Sequence, residues 1–110
     1  MSNNIVIVDD SNFQVEVLDS KLPVLVDFSA TWCGPCQRQY PILEKFADDQ
    51  INRVKVCKID IDDAPAITAK LGIRGVPTLM VFNAGASVGS KVGMTSLAEM
   101  DSLVLTKTGV

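Results

Sequence analysis

The chain has 110 residues, 47% of them apolar, and a formal net charge of −3. That length suits one domain of common size, and the apolar share supports a packed core rather than a disordered chain. The acidic balance without a basic stripe argues against nucleic acid as a partner, and the absence of histidine excludes Cys-His and Ser-His-Asp catalysis within this chain.

The opening Met1-Ser2-Asn3-Asn4 has neither a positive n-region nor an apolar h-region, so no secretory signal is expected. No apolar run approaches the roughly 18 residues of a membrane span, and no membrane partner is expected. Three cysteines is an odd number, unlike a secreted disulfide framework. A reducing compartment with one working pair fits better.

Ile5 to Val8 is short and β-branched and reads as a first strand. Asp9-Asp10-Ser11 offers a helix cap, and Phe13, Val17 and Leu18 have helical spacing, which predicts a helix from Ser11 to Ser20. Leu22-Pro23 ends it. Val24 to Ala30 is apolar with little alternation and reads as a central strand covered on both faces. A turn at Trp32-Cys33-Gly34-Pro35-Cys36 leads into a second helix reaching Gln50, with Ile42, Leu43, Phe46 and Ala47 as its apolar pattern. Pro41 lies inside it and lacks an N–H, so a kink is expected.

Arg53 to Ile61 reads as another central strand, and Ala64 to Lys70 as a short helix stopped by Gly72. Thr78 to Phe82 and Ser87 to Val92 form a hairpin joined at Asn83-Ala84-Gly85. Leu97, Met100, Leu103 and Val104 stripe a last helix, with Thr106 to Val110 expected as a frayed tail. The order βαβαβαββα predicts an α/β fold with parallel pairs and an antiparallel edge. We expect residues 1–110 to form a single domain.

The chemistry points to Cys33 and Cys36. Two cysteines separated by two residues can close a disulfide within one turn, and Cys33 falls at a strand-to-helix junction. Unpaired N–H groups and the macrodipole there favour a negative charge, which lowers the thiol pKa. Cys36, one turn further in, can attack the bond that Cys33 has made. The competing reading is half of a structural zinc site, which wants four Cys or His ligands. Cys57 has no nearby partner and there is no histidine, so redox chemistry is favoured. Cys57 alternates with Lys58 on a central strand and reads as a buried, inert thiol.

Trp32-Cys33-Gly34-Pro35-Cys36, preceded by Leu25-Val26-Asp27-Phe28, resembles the thioredoxin family. The similarity extends through Pro41-Ile42-Leu43, Lys58-Ile59-Asp60-Ile61-Asp62, Gly72-Ile73-Arg74-Gly75-Val76-Pro77-Thr78-Leu79 and Lys91-Val92-Gly93. It implies the thioredoxin fold, a mixed central sheet with helices on both faces, and protein-disulfide reduction through Cys33 and Cys36. It further implies that Asp27, a carboxylate in an apolar strand, is buried behind Cys36 and takes its proton. A surface position for Asp27 is the simpler alternative, against which its apolar neighbours argue. Gly34 and Pro35 would tune the pair, and that dipeptide goes with reductants in the family. Lys58 matches a family lysine beside the aspartate; from the residues alone it is equally readable as a solvated strand lysine.

Pro77, otherwise a strand-start proline, matches the family's cis-proline. With Trp32, Gly75, Val76 and Gly93 it would form a small apolar docking surface. The resemblance also implies disulfide-containing target proteins, regeneration by thioredoxin reductase, no bound cofactor, no metal, and a monomer in the cytoplasm. Ser29 stands where many relatives have tryptophan, and Gln37-Arg38-Gln39-Tyr40 replaces a more apolar stretch. Gln39 falls four residues before Leu43 and seven before Phe46, which turns it toward the sheet. Its amide is expected either to find a partner in the neighbouring loop, so that isoleucine would destabilise, or to be partly exposed at the rim of the active-site turn, where isoleucine would stabilise; the second is favoured.

Overall fold

The computed structural model describes residues 3–110; Met1 and Ser2, from the stretch considered for a leader, lie outside the described residues. Its strands are β1 (Ile5–Val8), β2 (Val24–Ser29), β3 (Lys55–Asp60), β4 (Thr78–Asn83) and β5 (Ala86–Val92). They form one sheet in the order β1-β3-β2-β4-β5. β3 runs parallel to both β1 and β2, while β4 is antiparallel to β2 and β5. The helices are α1 (Gly34–Asp49), α2 (Pro65–Lys70) and α3 (Leu97–Thr108). No helix among the described residues is long and apolar enough to cross a membrane.

Every residue of β2 is buried, as a strand at the sheet's centre must be. Alternation along the strands splits the core into two layers. Val24, Val26 and Phe28 of β2 join Cys57 and Ile59 of β3 and Met80 and Phe82 of β4 on one face, under Phe13, Val17 and Ala64. Leu25, Val56, Leu79 and Val81 occupy the other face, against Leu43 and Phe46 of α1 and Met100 and Val104 of α3. Each of the larger side chains, fully buried, contributes about 1.5–3 kcal/mol of hydrophobic stabilisation. Asp27 and Lys58 follow the alternation of Leu25 and Val56, which puts both on the α1 and α3 face.

Two segments differ from the sequence reading. The first helix is confined to Gln14–Leu18, with widened i→i+5 pairing such as Asp19 N–H to the Gln14 carbonyl at 2.9 Å. Its expected first turn is consumed by local bonds: Asp9 Oδ1 accepts from the Ser11 N–H and hydroxyl, and Asn12 Oδ1 accepts from the Asp9 N–H. Asp10 is recruited elsewhere. Its carboxylate accepts from the N–H groups of Ala66 and Ile67 and so caps α2 from across the fold. At the other end, α3 continues to Thr108 instead of fraying from Thr106. The Thr108 hydroxyl donates to the Val104 carbonyl at 2.7 Å, and Gly109 N–H closes the last turn on Leu105.

The hairpin loop is Ala84-Gly85, with φ of 52° and 81°. Positive φ at both positions is the signature of a two-residue turn whose twist matches the strands it joins. α1 runs without interruption through Pro41, which is exposed. α3 starts on a capping box, Ser96 Oγ accepting from Glu99 N–H and the Glu99 carboxylate from Ser96 N–H.

Candidate active site

β2 is the source of the site's geometry. The chain leaves its C-terminal end at Ser29, turns through Ala30, Thr31 and Trp32, and enters α1 with Cys33 as the N-cap. Cys33 N–H donates to the Ala30 carbonyl at 3.2 Å, which fixes the turn. A helix start leaves its first N–H groups without intrahelical partners. Pro35 removes one of these donors outright. Cys33 Sγ accepts from another, the Cys36 N–H, at 3.2 Å. The sulfur that caps the helix is therefore the one a positive dipole end and a backbone donor stabilise as a thiolate.

Cys33 and Cys36 are joined as a disulfide with their Cα atoms 5.3 Å apart. Both are buried, Cys33 at 6% and Cys36 at 2% exposure, and they pack with Ala30 against Ile61 and Val76. Cys33 is the more accessible of the two. Its sulfur lies 3.7 Å from the Val76 carbonyl. The Val76–Pro77 peptide is cis. The Gly93 N–H donates to the Pro77 carbonyl at 2.8 Å, and the Thr78 hydroxyl to the Gly75 carbonyl at 2.6 Å. Val76 thus meets the cysteine pair, and these bonds tie Gly75 and Gly93 to the segment around it. Gly93 has φ of +96°, a backbone conformation that a side chain disfavours. Trp32 is 67% exposed, its indole N–H donating to Asp62 Oδ2 at 3.0 Å.

A polar cluster lies one helical turn below. Asp27 is only 1% exposed. Burial pushes its carboxyl from the ordinary 3.8 up to about 7, against the opposing pull of Lys58 and the hydrogen bond from Gln39. Asp27 pairs with Lys58 across the β2–β3 register, so the lysine is beside it rather than simply solvated. The Lys58 ammonium also sits 4.7 Å from the centroid of the Tyr40 ring. Burial, then Glu44 and Asp27, raises the Tyr40 hydroxyl above its usual value.

Gln39 overturns the favoured rim position and takes the other alternative, a partner from a neighbouring loop. It is fully buried, with Nε2 donating to Asp27 Oδ1 at 3.4 Å and Oε1 accepting from the Thr95 N–H at 2.7 Å. Its inward direction followed from its spacing to Leu43 and Phe46. Its partners did not, because Thr95 is supplied by the loop before α3, far along the chain. Gln39 stands three residues after Cys36 and so shares its face of α1. Its bond to Asp27 ties the carboxyl to the helix face that also carries the resolving cysteine.

Cys57 is the third cysteine, fully buried in the opposite layer. Burial pushes its thiol up to about 12, with Lys55 pulling the other way, so it stays protonated at neutral pH.

The family description Thioredoxin matches residues 4–106. The chain belongs to the thioredoxin family. It is 45% identical over 104 residues to the thioredoxin of Acidithiobacillus ferridurans, spanning 94% of this chain and 96% of that one. It is 44% identical over 100 residues to a thioredoxin of Pseudomonas aeruginosa, spanning 91% and 93%. It is 47% identical over 94 residues to a thioredoxin of Rickettsia felis, spanning 86% and 87%. The thioredoxin fold and a cysteine pair closed at the start of α1 make this chain a thiol–disulfide oxidoreductase.

Proposed function

We propose that the protein reduces disulfides of target proteins, with Cys33 as nucleophile and Cys36 as resolving thiol. The observation that carries this reading is the Cys36 N–H directed at Cys33 Sγ, at the helix N-terminus. In the dithiol form, the Cys33 thiolate attacks one sulfur of the target disulfide. A mixed disulfide forms and the other target sulfur leaves as a thiolate. Cys36 then loses its proton and attacks Cys33 Sγ. The target's second sulfur leaves, and two electrons have passed to the target. The burial and raised pKa of Asp27, and its bond to Gln39 on the helix that carries Cys36, support it as the acceptor of the Cys36 proton.

An extended target would dock along Trp32, Gly75, Val76, Pro77 and Gly93, where the Val76 carbonyl faces Cys33. Gly34 and Pro35 tune the pair by shaping the helix start, and Lys58 by its charge beside Asp27. The chain acts as a single domain and a monomer, with no cofactor of its own. A flavin-free dithiol of this kind needs a separate reductase, and we assign that role to thioredoxin reductase. One working pair, with the third thiol sealed in the core, fits the reducing cytoplasm.

Insulin reduction by the dithiol form tests the reading. The natural chain should precipitate the insulin B chain in the presence of reductase and NADPH. Cys36→Ser should instead accumulate mixed disulfides through Cys33. Full activity in Cys33→Ser, or trapping through Cys57, would overturn the assignment.

A further inference from the structure

The Gln39 amide has its orientation set by its neighbours. A peptide N–H can only donate, so the Thr95 N–H at 2.7 Å must face Oε1. The NH2 end is left to face Asp27 Oδ1, a group that accepts when ionised. Thr95 is itself fixed. It is 1% exposed, and its hydroxyl donates to the Gly93 carbonyl at 3.1 Å. The capping box of α3 begins at the next residue. Gln39 is thus held at one end by a rigid loop and presents donors at the other to a buried carboxyl.

We propose that Gln39 is a positioning residue for the resolving step: its amide, oriented by the Thr95 N–H, ties the Asp27 carboxyl to the helix face that carries Cys36 and favours its ionised form. A donor directed at a carboxylate stabilises the charged state, and does so most where water is excluded. Asp27 then stays a competent base at lower pH than burial alone would allow. The proposal rests on the reading that Asp27 takes the Cys36 proton. The other groups facing Asp27 are the Lys58 ammonium from β3 and the Tyr40 hydroxyl from α1; β4 contributes Leu79 at the paired position, which does not titrate.

The test is a titration of the oxidised protein, in which neither catalytic thiol ionises. The Asp27 carboxyl carbon is followed by NMR in the natural chain and in Gln39→Met, which matches glutamine in length but cannot donate. The midpoint should rise by about one pH unit in the variant. The pH midpoint of Cys36-dependent resolution in the dithiol protein should rise with it. In the natural chain the Gln39 Nε2 protons should follow the Asp27 midpoint, a reading that needs no variant to fold. An unmoved carboxyl midpoint in Gln39→Met, or Nε2 protons insensitive to pH across that titration, overturns the proposal. A carboxyl midpoint that rises while the resolution profile stays fixed overturns the proton role of Asp27 instead.

Discussion

Two buried thiols, Cys57 in the sheet and Cys36 at the start of α1, are treated differently by their surroundings. Cys57 on β3 lies among Val26, Phe28, Ile59 and Met80, a layer of apolar side chains. Cys36 is almost as well buried, yet it lies on a helix's first turn, one turn above Gln39 and, through it, Asp27. Burial area does not separate the two cysteines. What separates them is whether polar groups are close enough to take a proton and stabilise a thiolate. Desolvation first of all drives the Cys57 thiol up to about 12, with Lys55 opposing and Glu16 adding to it. At the cysteine pair, the same exclusion of water strengthens a backbone donor and the helix dipole.

The largest expected effect breaks that contrast directly. Cys33→Ser should reduce the rate of insulin reduction by at least about 10³-fold, because it removes the nucleophile. Cys57→Ala should leave that rate unchanged. A comparable loss in both variants would mean that the sealed layer is not sealed.

Next comes Asp27. Its folded carboxyl titrates near 7, above the ordinary 3.8, so the folded state binds its proton more tightly than the unfolded state. The resulting stability is fully present below pH 3.8 and is lost as pH rises through about 7. Ionising the group in place then costs on the order of 4 kcal/mol. Asp27→Asn keeps the acceptor for Gln39 but loses the partner of Lys58. It should stabilise the fold at pH 8 by about 2–3 kcal/mol, with the gain vanishing toward pH 4. Urea unfolding at the two pH values checks this, and a gain independent of pH would contradict it.

Gln39→Ile sharpens the comparison by making the catalytic face more like the other. It adds apolar surface but strands the buried Thr95 N–H and removes a donor from Asp27. A net loss of about 1–2 kcal/mol is expected in chemical denaturation. A stabilised variant would mean that the amide is not bonded inside.

The smallest effect is spectroscopic. Trp32 adjoins Cys33 and is the chain's lone tryptophan. Its fluorescence should rise when the disulfide is reduced, since a neighbouring disulfide quenches an indole. It should not change when Cys57 is labelled in the unfolded and refolded protein. Emission indifferent to reduction would place the indole away from the pair.

Much of this molecule is written locally. Strand and helix periods, the turn residues at Ala84-Gly85, and the Cys33–Cys36 spacing at a strand-to-helix junction each involve neighbours in the chain. Short-range sterics and hydrogen bonding therefore determine them, which is why element order and the redox pair were legible from the sequence. Gln39's inward direction belongs here too, since its spacing to two apolar positions on one helix, Leu43 and Phe46, sets it. The tertiary structure decided what those residues meet. Asp10 looked like a cap for its own helix, yet it caps α2, because the Asp9 and Asn12 side chains take over the local turn and the fold brings Ala66 and Ile67 within reach. Lys58 became a neighbour of Asp27 only through the β2–β3 register. Gln39 was buried without loss because a loop 56 residues away presents the Thr95 N–H to it. A buried polar group is tolerated only when its partner arrives, and for these side chains the partner comes from a distant segment that only the folded chain brings near.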